Sequence, residues 1–183
     1  SPAEFAIAAL NNAWANRADR QSLTDAIIHL EGAELALDAR RSAIRESAVT
    51  LCNAKVVVTG YGRIGKMLAD SLTALGASVT VVARSARDRA WAWSEGLPAY
   101  GFKSLPELAK ACDFLFNTVP SEVISRQTLA ALPKDTTIIE LASLPGGIDL
   151  RAAEEEKLRV ISALGLPGKY SPKTAGRIIA DCV

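Results

Sequence analysis

Three glycines set the first question. They fall in Gly60-Tyr61-Gly62-Arg63-Ile64-Gly65, just after the β-branched run Val56-Val57-Val58 and just before a segment with apolar residues three and four apart. Strand, glycine turn and helix in that order suit the binding of a dinucleotide. Gly60 makes the tight turn, Gly62 lets the backbone approach a pyrophosphate, and Gly65 lets helix and strand pack closely. The helix then offers its unpaired N–H groups and the positive end of its dipole to the phosphates. Arg63 adds a charge-assisted contact, and Tyr61 and Ile64 stand between the glycines. The competing reading, a structural turn only, is weakened by the correct flanks on both sides.

The end of the second strand decides the type of dinucleotide. A site that prefers NAD carries Asp or Glu about 20 residues on, to hold the ribose 2′-hydroxyl. This chain has Ala83-Arg84-Ser85-Ala86-Arg87 instead. Arg84 and Arg87 can grip a 2′-phosphate and Ser85 can donate to it, whereas a carboxylate would repel it. The expected cofactor is NADP, with NAD as the alternative. The plainer reading is that both arginines merely begin a solvated helix.

Three later loops leave the same edge of the expected sheet. "FNTVPSE" offers Asn117, Thr118, Val119 and Pro120; "ELASLPGGID" offers Ser143 and a Pro-Gly-Gly turn; "ALGLPGKYSPKTAG" offers Gly165, Leu166, Pro167 and Lys173. Each alone is ordinary punctuation. Together they suggest a cleft wall made of backbone amides. Arg126, Lys169 and Lys173 make its surroundings basic, which suits a small dianion. With His29 the single histidine of the chain, no Ser-His-Asp set can be assembled, and no metal-ligand spacing is found. Trp91 and Trp93 read as packing or as surface beside the adenine.

These residues need a scaffold. Strand signals cover Lys55–Val58, Ser78–Ala83, Asp113–Asn117, Thr137–Glu140 and Val160–Ala163. Helix signals cover Ile64–Leu75, Ser85–Glu95, Leu105–Cys112, Ser125–Ala131, Asp149–Lys157 and Pro172–Cys182. Strands that are apolar throughout point to a parallel sheet covered on both faces. The fold class is therefore α/β, a doubly wound parallel sheet. Residues 1–50, rich in Ala and Leu at helical spacing, form a helical arm or linker with no sheet of their own. Residues 51–183 form the nucleotide-binding domain.

Composition narrows the classes. The chain has 183 residues, 49% hydrophobic and 22% charged, with a net charge of +1. That balance argues against a nucleic-acid surface, and no apolar run is long enough to span a bilayer. Three scattered cysteines, Cys52, Cys112 and Cys182, fit a reducing compartment, and the start of the chain lacks a signal-peptide pattern. A cytoplasmic location is expected.

The strings "GYGRIGKMLADSLTALGASVTVVARS", "NTVPS", "LASLPGGID" and "ALGLPGKYSPKTAGRII" closely resemble, in order and spacing, the A-subunit family of dipicolinate synthase, from about Glu31 to Ala180. The resemblance implies an NAD(P)-dependent oxidoreductase with a Rossmann domain, on the dipicolinate branch of the lysine pathway in sporulating bacteria. It implies that a dihydrodipicolinate-type ring is oxidised to pyridine-2,6-dicarboxylate, with a B-type partner subunit and self-association into a homo-oligomer. In that setting Tyr61 and Ile64 too lie at the pyrophosphate, and Thr118, Val119 and Pro120 flank the nicotinamide ribose. Ser143 and Lys173 are the candidate catalytic residues, and Gly165, Leu166 and Pro167 border cofactor and substrate. The family also carries an N-terminal lobe, of which residues 1–50 hold at most the last helices. Its linker has a Pro-Thr pair where Ile28 and His29 stand here.

Other readings compete. A D-2-hydroxyacid dehydrogenase shares GxGRIG, but that chemistry needs a histidine base, and His29 precedes the first strand. It is set aside. A shikimate-dehydrogenase-like reductase fits the arginines and "NT.P". A non-enzymatic NADP-binding module, acting as sensor or scaffold through the helical arm, is the alternative of a different kind.

Overall fold

The computed structural model describes residues 51–163. Six parallel strands form one sheet in the order β3-β2-β1-β4-β5-β6. They are β1 (Lys55–Thr59), β2 (Ser78–Val82), β3 (Ala99–Tyr100), β4 (Phe114–Asn117), β5 (Thr137–Glu140) and β6 (Arg159–Ser162). The helices are α1 (Arg63–Ala74), α2 (Ala86–Ser94), α3 (Leu105–Ala109), α4 (Arg126–Ala131) and α5 (Leu150–Glu155), with a 3-10 turn at Phe102–Ser104 before α3. The fold is the Rossmann-like doubly wound sheet expected.

The apolar strands are explained by burial on both sides. Val56, Val58, Val79, Val81, Phe114, Phe116 and Ile139 pack with Leu68 and Leu72 of α1 and Ala92 of α2. Val57, Leu115 and Ile138 pack with Leu105 of α3, Leu129 of α4 and Ala152 of α5. Each Val, Leu, Ile or Phe side chain so buried contributes roughly 1.5–3 kcal/mol. That leaves little room for polar residues in the strands, so those present need a reason.

Three of the buried ones, Thr59, Asn117 and Glu140, lie in one rung. At the carboxyl ends of the strands Val82 pairs with Thr59, Thr59 with Asn117, Asn117 with Glu140, and Glu140 with Ser162. The strand order reverses between β1 and β4, and an open sheet of this kind binds its ligands at that point, beyond the carboxyl ends.

Local sequence accounts for the boundaries. Gly76, at φ +83°, ends α1: its N–H donates to Thr73 O at 2.9 Å and that of Ala77 to Leu72 O at 3.1 Å, the paired pattern of a glycine C-terminus. Asp149 caps α5 by accepting from Ala152 N at 3.0 Å. Ser104 ends the 3-10 turn and is the N-cap residue of α3, but its side chain makes no capping bond to the helix. Strand β3 was not expected at all. It has two residues, follows Pro98 and lacks a β-branched run. The arm at residues 1–50 and the helix expected over Pro172–Cys182 lie outside the described residues.

Candidate dinucleotide-binding site

The glycine turn has the geometry its sequence suggests. Gly60 sits at φ +89°, where L side chains are strained, and a Cβ there would collide with Thr118 Oγ1. A Cβ on Gly65 would run into the carbonyl oxygen of Gly60, so helix α1 meets the turn without room for a methyl group. Gly62 differs: a Cβ there would meet nothing within 4 Å. Gly62 is the N-cap of α1, no side chain caps the helix, and its first turn holds no acidic residue. The first turn thus has neither a side-chain cap nor a carboxylate of its own to neutralise its amides and dipole end. The residues present fit a dinucleotide pyrophosphate, which such a glycine turn can cradle.

Around the turn, Arg63 is exposed and Ile64 half-buried. Tyr61 is 2% exposed and lies in the core. The Lys66 ammonium stands 5.5 Å from the Tyr61 ring centroid and 3.8 Å from that of Trp91. Burial first, then the Asp70 and Glu95 carboxylates, pushes the Tyr61 hydroxyl up to about 12. Trp91 and Trp93 are both exposed on α2, with Trp93 Nε1 donating to Ala99 O at 3.2 Å.

Arg84, Ser85 and Arg87 are exposed together at the β2–α2 turn. Ser85 Oγ accepts from Asp88 N at 3.4 Å as the N-cap of α2, and that bond does not use its hydroxyl hydrogen. A residue missed in the sequence holds this turn. Arg89 Nη1 donates to Ala83 O at 2.9 Å and to Arg84 O at 2.7 Å, clamping the main chain from which Arg84 projects. A third arginine at this spacing was the available signal.

At the switch point, Thr118 Oγ1 donates to Thr59 O at 2.8 Å, fixing the β4 loop beside the glycine turn. Val119 is half-buried and Pro120 exposed. Asn117 is fully buried. Its Oδ1 accepts from Thr59 Oγ1 at 2.6 Å, and its Nδ2 donates to Glu140 Oε1 at 2.8 Å and Val119 O at 3.0 Å. Glu140, also missed in the sequence, is 6% exposed. Ser143 is exposed in the turn after β5, where Gly146 N donates to its carbonyl at 2.9 Å and the Leu144–Pro145 bond is cis.

Arg126 is not offered to this cleft: Glu155 takes it in an exposed ion pair, which raises the guanidinium and lowers the carboxyl. Gly165, Leu166, Pro167, Lys169 and Lys173 lie outside the described residues. Among the described residues no cluster of His, Cys, Asp or Glu could hold a metal ion. No helix among them is long and apolar enough to cross a membrane.

A parallel sheet in this order, with an open glycine turn at its switch point, defines the NAD-binding domain of a dehydrogenase. Residues 11–143 match the family described as D-isomer specific 2-hydroxyacid dehydrogenase, NAD binding domain, and the chain belongs to that family. Membership carries the fold and the cofactor class. The setting aside of 2-hydroxyacid chemistry rested on His29, which lies outside the described residues.

The resemblance to the dipicolinate synthase A-subunit is also shown. The chain is 39% identical to that protein of Bacillus subtilis over 139 residues, 76% of this chain and 47% of the relative. The crystal structure of the dipicolinate synthase A-subunit from Bacillus halodurans superposes with a TM-score of 0.82 at 36% identity, covering 86% of this chain and 54% of that one. A shikimate dehydrogenase (NADP(+)) of Methanosarcina acetivorans is 36% identical over 117 residues, 59% of this chain and 39% of the relative. The chain therefore spans about half the length of the dipicolinate synthase proteins it matches. It is homologous to them and carries the NAD-binding domain of its dehydrogenase family.

Proposed function

We propose that this chain is the nucleotide-binding part of an NADP-dependent dehydrogenase that oxidises a dihydrodipicolinate-type ring to pyridine-2,6-dicarboxylate. The observation that carries this is the 39% identity to the dipicolinate synthase A-subunit over 76% of the chain. The nicotinamide, when bound, supplies the hydride acceptor. The chain's own residues do the positioning. The turn from Gly60 to Gly65 binds the pyrophosphate through its amides, with Arg63 adding charge. Arg84, Ser85 and Arg87 take the 2′-phosphate, which makes NADP the cofactor rather than NAD. Thr118, Val119 and Pro120 border the nicotinamide ribose and Ser143 the ring substrate, and the resemblance assigns Gly165, Leu166, Pro167 and Lys173 to cofactor and substrate as well. Loss of a hydride and a proton from the ring is driven by aromatisation, so orientation against the cofactor is the main task.

The same reading divides the protein into an arm (1–50) and the nucleotide-binding domain (51–183). It assigns a B-type partner subunit, a homo-oligomer, a cytoplasmic location and a role in sporulation, with no nucleic-acid or membrane partner. Purified chain mixed with NADP and a freshly generated dihydrodipicolinate precursor should raise the absorbance of reduced nicotinamide. A flat trace alongside normal NADP binding supports instead a module that binds the cofactor without turnover. A second reading, a shikimate-dehydrogenase-like reductase, is favoured by the 36% identity to the Methanosarcina enzyme, and NADPH oxidation with a 3-dehydro ring acid would select it.

A further inference from the structure

Glu140 presents a problem of burial. A carboxyl group at 6% exposure in an apolar strand end is costly, and burial of such a group is normally offset by a cation. Here its three donors are uncharged. Oε1 accepts from Asn117 Nδ2 at 2.8 Å and Ala142 N at 2.9 Å, and Oε2 accepts from Gly147 N at 2.8 Å. Three donors on two oxygens is a pattern that an acceptor-only group satisfies and an amide does not: glutamine would turn its NH₂ toward at least one N–H.

The donors come from two separate loops. Asn117 ends β4 where its loop begins, whereas Ala142 and Gly147 bracket the turn that carries Ser143. The loops are joined a second time further out, where Val123 N and Ile124 N both donate to Gly147 O, at 3.0 and 2.9 Å, and Asp149 N donates to Ile124 O at 3.1 Å. They also pack without a gap: a Cβ on Gly147 would collide with Asn117 Nδ2 and Val119 O. Through Asn117 Oδ1 the same network reaches Thr59 at the end of β1.

We propose that Glu140 is a positioning residue that locks the 142–147 turn to the 117–121 segment, so that the wall facing the ring substrate is held as one piece. Its place beside the substrate rests on the function proposed above; the locking itself does not. None of Glu140's hydrogen-bond partners lies in the glycine turn, so the 142–147 turn should loosen while the pyrophosphate and 2′-phosphate contacts that dominate NADP affinity hold.

The test measures amide hydrogen exchange, NADP affinity, and pyridine-2,6-dicarboxylate affinity in the presence of NADP, for the wild-type chain and Glu140→Gln. The Ala142 and Gly147 amides should exchange about tenfold faster or more in the variant, with β1 and β4 amides still protected. Dicarboxylate affinity should fall about tenfold and NADP affinity stay within about twofold, with the KM of the ring substrate rising and that of NADP holding. Unchanged exchange at Ala142 and Gly147 overturns the proposal, as does an equal fall in both affinities, which marks a general scaffold residue. If the wild-type chain binds no dicarboxylate, the substrate reading fails and the exchange rates alone decide for or against the lock. Should Glu140→Gln not fold, Thr59→Val decides. It removes one donor from Asn117 at nearly constant volume, and must shift the same readouts in the same direction, more weakly.

Discussion

Gly60 and Thr118 touch across the switch point of the sheet: a Cβ on Gly60 would strike Thr118 Oγ1, and that hydroxyl is tied to Thr59 O at 2.8 Å. The turn after β1 and the loop after β4 are thus one packed unit with no space for a side chain between them. Gly60→Ala combines this clash with a backbone at φ +89°. A loss of about 2 kcal/mol or more in denaturant unfolding is expected, together with loss of NADP binding. Thr118→Val keeps the volume and removes one hydrogen bond, so a loss of about 1 kcal/mol is expected.

Arg84 and Arg89 should separate in their effects. Arg84→Asp removes the proposed 2′-phosphate ligand and adds a repelling charge, so NADP affinity should fall about tenfold or more while NAD binding holds or improves, reversing the preference. Arg89→Ala removes both hydrogen bonds that clamp Ala83 and Arg84 and should weaken NADP severalfold with no gain for NAD. Titration of tryptophan fluorescence with each nucleotide reads both, because Trp91 and Trp93 lie on the helix that this turn begins. Equal affinities of the wild-type chain for NADP and NAD would remove the assignment of the arginines.

High pH should unfold the protein through two buried groups. Burial raises Cys112 from 9.0 to about 12 and Tyr61 from 10.0 to about 12. The folded state therefore holds these protons more tightly than the unfolded chain. Their contribution is fully present below pH 9 and is lost as pH rises from 9 to about 12, when the unfolded chain ionises and the folded one does not. Cys112→Ala should unfold less steeply over that window than wild type, even if its stability at neutral pH is lower. The buried thiol should also resist alkylation until the fold opens.

The parts of this fold legible in the sequence were those governed by local chemistry. Val56 to Val58 announce a doubly covered strand, Gly60 to Gly65 a turn with fixed steric demands, and Gly76 the end of a helix. All five expected strands within the described residues are present, with ends shifted by one residue or less. Strand β3 was not legible because its pairing of Ala99 with Val81 and Tyr100 with Val82 is a tertiary fact, with two residues carrying it. The role of Glu140 was hidden for the same reason. Its partners lie at Asn117, Ala142 and Gly147, and only the register that sets Asn117 against Glu140 brings the first of them within reach. Arg126 misled in the opposite way: a cation beside a loop looks available until Glu155, far off in sequence, takes it.

The account depends most on Gly62, whose missing side chain leaves room that nothing in the described residues uses. Gly62→Val adds bulk in that space at an ordinary φ of −77°, so the protein itself should hardly notice. The deciding measurement is an NADP titration of this variant beside its unfolding curve. Stability within about 0.5 kcal/mol of wild type, with NADP affinity down at least about tenfold, is the expected result. Unaltered NADP affinity in a folded Gly62→Val protein would mean that the pyrophosphate lies elsewhere, and the site described here would be wrong.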